Sequence, residues 1–198
     1  MSFSSTYLIE ASQIIEKLDT QGIEKMVGLL CDLRRQNGRL FIVGVGGGAG
    51  HATHAVGDFR KIAGIEAYAP TDNIAELTAR TNDEGWDTTF VEWLKVSHLS
   101  RNDCVFVFSV GGGDLKKNIS PNLVRALKHA KTVRAKIVGI VGRNGGYTAS
   151  VADACVIIPI VNYRTVTAHT ESFQALVWHL MVSHPDLQRA PMKWESTE

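Results

Sequence analysis

Arg39-Leu40-Phe41-Ile42-Val43-Gly44-Val45-Gly46-Gly47-Gly48-Ala49-Gly50-His51-Ala52-Thr53-His54-Ala55-Val56-Gly57-Asp58 decides the fold. A short β-rich apolar run stops at a cluster of glycines, and a helix bearing polar groups follows at once. Glycines at such a turn let the backbone approach a ligand, and the helix N-terminus presents free N–H groups to an anion. His54 and Asp58 are four residues apart, so on a helix they share a face one turn below that turn. An anion cradle above a metal-binding or acid–base pair points to chemistry on a small anionic molecule.

Outward from this stretch, apolar runs at Leu40–Val43, Ile65–Ala69, Cys104–Ser109, Ile137–Val141 and Ala154–Pro159 alternate with helical patterns near 48–63, 86–99, 118–132, 145–152 and 167–184. Continuous buried strands alternating with helices predict an α/β three-layer sandwich, with a parallel sheet of about five strands. Three of the strand ends carry glycine clusters, at Gly44–Gly50, Gly111–Gly113 and Gly142–Gly146. In open α/β sheets ligands bind outside the carboxyl ends of strands, so these clusters should converge on one site. Ahead of the first strand, residues 7–36 repeat apolar positions with a helical period, bent or broken near Gly22 and ended by Asn37-Gly38. This long leading helix needs something to pack on, and a partner subunit is one candidate.

Composition narrows the classes further. A formal net charge of +1 gives no electrostatic case for nucleic acid or an acidic membrane. Cys31, Cys104 and Cys155 are odd in number and lack paired spacing, which fits reduced, buried thiols. No apolar run reaches the roughly 18 residues of a membrane span, and residues 1–6 show no signal-peptide pattern; both point to the cytoplasm. Gly44-x-Gly46-x-x-x-Gly50 lies near a dinucleotide fingerprint, but that fold expects an acid at the end of the second strand. Glu66 stands at the start of its run. Trp86, Trp93, Trp178 and Trp194 carry no stacking motif and read as packing residues.

Four motifs resemble the sugar isomerase (SIS) domain family, and within it the phosphoheptose isomerases. Gly44-x-Gly46-Gly47-x-Ala49 followed by His54 and Asp58 resembles the family's GNGGSA with its later His and Glu. Thr78-Ala79-x-x-Asn82-Asp83-x-Gly85 matches TAxxNDxG, and Phe108–Asp114 stands where the family has a serine-rich phosphate loop. Thr167-Ala168-His169-Thr170-Glu171 with His179 stands where it has TARIQ and a later His. The resemblance implies one SIS domain over 1–198: an oligomerisation region at 1–37, a flavodoxin-like core at 38–184 and a tail at 185–198.

It also implies a metal site of His54, Asp58, Glu171 and His179, with one divalent ion per subunit, for which the donor set suits zinc. Asp58 and His179 are the implied base and acid of an aldose–ketose isomerisation, sedoheptulose 7-phosphate to a heptose 7-phosphate, in a homotetramer. The substrate-binding residues it implies are Gly46, Gly47, Gly48, Asn82, Asp83, Ser109, Gly111 and Gly112. Departures from the pattern mark the phosphate loop. Val110, Gly111 and Asp114 stand where hydroxyl residues are expected, and Lys116 and Lys117 are the candidate replacements for those donors. Depletion of that loop leaves a second class open, a non-catalytic phosphosugar-binding or adaptor protein. Glu171 and His179 pose a geometric problem, since eight helical residues rise about 12 Å. Either the chain is not yet helical at Glu171, or the two residues serve one site from different subunits. His51, three residues before His54, is a competing ligand or a surface residue near the cap.

Overall fold

The computed structural model describes residues 1–193, so Trp194 and the end of the tail lie outside the described residues. Two helices, α1 (Phe3–Lys17) and α2 (Thr20–Arg35), lead into β1 (Leu40–Gly44) and α3 (Gly47–Lys61). There follow β2 (Ala67–Tyr68), α4 (Ile74–Asp83), α5 (Thr89–Val96), β3 (Cys104–Ser109) and α6 (Pro121–Val133). The chain ends with β4 (Lys136–Val141), α7 (Gly146–Val151), β5 (Ala154–Ile157) and α8 (Val166–Ser183). All strands pair in parallel in the order β2-β1-β3-β4-β5, the flavodoxin-like arrangement.

Alternation along the strands builds two cores. Leu40, Ile42, Phe106, Phe108, Val138 and Ile140 face α2, α3 and α8. Phe41, Val43, Val105, Val107, Ile137 and Val141 face α5 and α6. Both faces are covered, which is why the strands read as unbroken apolar runs. Cys31, Cys104 and Cys155 are free thiols, and burial pushes the Cys155 thiol up to about 12.

Three expectations need correction. The leading helix parts at Leu18–Asp19 and not at Gly22. The Asp19 carboxylate accepts the Gly22 N–H at 2.9 Å and caps α2. Helix α4 carries the Thr78–Asp83 part of the second motif, where no helical pattern is expected, and it buries no residue. The tail is irregular but docked: Leu187 is fully buried, and Arg34 donates to the Leu187 and Asp186 carbonyls at 2.5 and 2.9 Å.

Helix α1 is braced against the segment after β5. The Glu10 carboxylate accepts from Asn162 at 2.6 Å and Thr165 at 2.8 Å, and meets His169 Nε2 at 2.8 Å. Those hydrogen bonds, the Asn162 one foremost, hold Glu10 below the usual carboxylate value. Tyr7 stacks on His169 with ring centroids 4.2 Å apart.

Candidate functional site

Strand order reverses direction between β1 and β3, and a cavity of about 1140 Å³ opens at the carboxyl ends of the strands there. Its walls are the turns after β1, β3 and β4 and the segment after β5, so the three glycine clusters do converge. Of the candidate substrate residues, Gly48, Ser109, Gly111, Lys116 and Lys117 line it. Gly46, Gly47 and Gly112 do not line it; Gly46 and Gly47 are exposed on the turn after β1, and Gly112 is buried. Asn82 and Asp83 lie elsewhere, at the exposed end of α4, where the Asn82 amide donates to the Asp83 carboxylate at 2.7 Å.

The loop after β3 spends several of its backbone donors internally. Ser109 Oγ accepts the Gly112 N–H at 3.0 Å, and Asp114 Oδ1 accepts the Lys116 and Lys117 N–H groups at 2.8 and 3.0 Å. These backbone bonds, Lys117 foremost, hold the Asp114 carboxyl below its usual value, so it stays charged. On the other side, the Gly112 and Gly113 carbonyls accept the Thr148 and Tyr147 N–H groups at 2.9 and 2.8 Å, consuming the first donors of α7. Three cationic side chains, Lys116, Lys117 and Arg143, lie on the cavity wall, and among the described residues the Gly111 and Gly113 N–H groups have no hydrogen-bond partner. Among the described residues no salt bridge takes up these charges. Arg143 is a residue that sequence reasoning missed. Its only signal is its place inside the Gly142–Gly146 cluster.

Beside the cavity, α3 and α8 run parallel and share a polar seam. At its upper end a Cβ on Gly47 would stand 2.5 Å from the Glu171 carboxylate. One turn down, His51 Nδ1 meets Gln174 Oε1 at 3.0 Å. Lower still, Asp58 Oδ2 receives the Trp178 indole N–H at 3.1 Å and lies 3.5 Å from His54 Nε2 and 3.4 Å from His179 Nε2. His54, Asp58 and His179 thus offer three ligating atoms within 4.8 Å of one another. Metal–ligand bonds of about 2.0–2.1 Å in a tetrahedral shell require ligand separations of roughly 3.3 Å, which the two Asp58 distances approach. The donor set fits a divalent ion.

Glu171 does not join this group. Helix α8 is already continuous from Val166, so the first of the two ways to unite Glu171 with His179 is closed. Within one subunit its carboxylate sits at the glycine turn. His179 has a side-chain exposure of 44 %, so its ring is accessible at the seam and not a buried core histidine. Trp178 is buried, as packing demands, yet its N–H is committed to Asp58.

A SIS domain model matches residues 6–142. The lincomycin biosynthesis protein LmbN of Streptomyces lincolnensis is 31% identical over 79% of this chain, which spans 59% of that relative's length. A phosphoheptose isomerase of Syntrophotalea carbinolica is 31% identical over 78% of this chain and 79% of its own. Among solved structures, the phosphoheptose isomerase GmhA of Neisseria gonorrhoeae superposes with a TM-score of 0.77, at 24% identity over 90% of this chain and 92% of that one. Fold and site define an α/β sandwich of the kind that takes a small anionic ligand at its strand ends. The chain belongs to the SIS domain family.

Ligands held by outer hydrogen bonds lose metal affinity when those bonds are removed, typically by 10- to 100-fold. Trp178→Phe keeps most of the ring and removes the N–H. Zinc affinity measured against a competing chelator should fall by about tenfold or more, with the circular dichroism spectrum unchanged. Equal affinity in the variant would show that Asp58 is oriented by something else.

Proposed function

We propose that the protein is a phosphosugar isomerase that interconverts a ketose phosphate and an aldose phosphate, with sedoheptulose 7-phosphate as the favoured substrate. The observation that carries this reading is the convergence of His54, Asp58 and His179 from segments far apart in sequence, beside a cationic cavity at the strand ends. Aldose–ketose exchange needs a base for the carbon-bound proton, an acid for the neighbouring oxygen, and stabilisation of enediolate charge. Asp58 and His179 are the base and acid pair. All three Asp58 contacts fall on Oδ2, which leaves Oδ1 without a partner among the described residues. A divalent ion held by His54, Asp58 and His179, zinc by its donor set, supplies Lewis acidity toward the substrate carbonyl. Lys116, Lys117 and Arg143 hold the phosphate, and the low-lying Ser109 hydroxyl adds a neutral donor.

Glu171 completes the ligand set only in an oligomer that brings a second copy of α8 to the site. That requirement, with Leu8 and Ile15 exposed on α1 at 67% and 57%, favours an obligate homotetramer. Light scattering at micromolar concentration should give four chains, and a stable monomer would end the shared-site argument.

Zinc-loaded protein incubated with sedoheptulose 7-phosphate should produce an aldoheptose 7-phosphate, followed by anomer-resolved NMR. No conversion, with metal content verified as stoichiometric, would leave an altered substrate or the adaptor reading. Replacing Lys116 and Lys117 together by alanine should weaken phosphosugar binding about tenfold in a calorimetric titration, equivalent to about 1.4 kcal/mol, without altering metal content. Wild-type affinity in this variant would mean that the anion is held on the Arg143 side alone.

A further inference from the structure

His51 stands between the two ends of the α3–α8 seam. On α3 it is three residues above His54 and seven above Asp58, positions that share one helical face. It packs on the buried Trp178 ring at 5.0 Å and meets the edge of Phe108 at 6.2 Å. It is neither a solvated cap residue nor a member of the metal-binding group.

Its tautomer follows from its neighbour. Gln174 is fully buried, and its Nε2 donates to the Ile140 carbonyl at 3.0 Å. A backbone carbonyl only accepts, so the amide nitrogen must face it and Oε1 must face the imidazole. An amide oxygen also only accepts, so His51 Nδ1 carries the hydrogen in the 3.0 Å contact. The neutral imidazole therefore has its lone pair on Nε2, and among the described residues no hydrogen bond engages that atom. The chain from a strand carbonyl through a buried amide leaves the ring one protonation pattern.

We propose that His51 Nε2 is a proton acceptor of the isomerase site, held in the accepting tautomer by Gln174 as a positioning residue. The proposal rests on the isomerase reading. When the enediol collapses, the hydroxyl proton of the oxygen that becomes the carbonyl passes to Nε2, and the electron pair of that O–H bond forms the C=O. The enediol carbon pair takes back its carbon-bound proton from the base. The other oxygen keeps the proton received from the acid. His51 and the acid then re-equilibrate through solvent, so no proton is consumed overall.

The test has two arms on the zinc-loaded full chain. With histidine labelled in ¹⁵N, long-range ¹H–¹⁵N correlation should report His51 as the Nδ1–H form, and Gln174→Met should release it toward the Nε2–H form. His51→Asn retains a donor toward Gln174 and removes the Nε2 lone pair. Proton-transfer groups typically contribute 10²- to 10⁴-fold, so turnover should fall by about 100-fold or more. Zinc content and phosphosugar affinity should stay within about twofold of wild type. An Nε2–H tautomer in the unmodified protein overturns the proposal, and so does wild-type turnover in His51→Asn. If the unmodified protein turns over no phosphosugar, the isomerase reading fails and the proton-transfer role falls with it. If it is active and only His51→Asn is silent in effect, this inference alone is lost.

Discussion

The close approach of α3 to its surroundings governs the site. A Cβ on Gly48 would stand 2.5 Å from the Phe108 carbonyl oxygen, so the first turn of α3 rests directly on the end of β3. A Cβ on Gly47 would collide with the Glu171 carboxylate, so the same turn also accepts α8 at its flank. At Gly48 the close atom is backbone, so only a residue without a side chain permits that contact. Once both contacts are made, the helices lie parallel, and residues that face inward at three- and four-residue spacing must meet in pairs. His51 against Gln174, and Asp58 against Trp178 and His179, are the result.

This seam is polar in a place where helix packing is ordinarily apolar. Its groups are satisfied by one another: Gln174 by Ile140 and His51, and Asp58 by Trp178. Buried polar groups in low dielectric are costly when unpaired and strongly ordering when paired. The pairing fixes rotamers and ring orientations before any ligand arrives, which is the condition for efficient proton transfer and metal capture.

The sheet was readable because each strand is buried on both faces and so appears as a continuous run. Helix α4 was not, since it buries no residue fully and meets the core through the partly buried Leu77. The break between α1 and α2 went to Asp19 because an N-cap carboxylate ends one helix and starts the next more decisively than a glycine inside the pattern. Within the site, His54, Asp58 and His179 were legible as motif positions. Gln174 and Trp178 were not, because their roles depend on which side chain faces them across a helix pair, and spacing along one helix carries no such information. Asn82, Asp83 and Glu171 stand apart from the cavity or the metal-binding group in a single chain.

The self-bonded loop at Ser109–Ile119 also sets how a ligand is captured. Hydroxyl and amide donors recognise an anion by direction at contact range and are little affected by dissolved ions. Here Asp114 occupies two of the amides, and on the proposed reading an anion would meet the Lys116 and Lys117 ammonium groups and the Arg143 guanidinium at the rim. Such charges attract over about 8–10 Å and are weakened by dissolved salt within that distance. Capture by such charges would be fast and weakly directional, with an affinity that depends on the ionic strength of the medium more than on the shape of the anionic group.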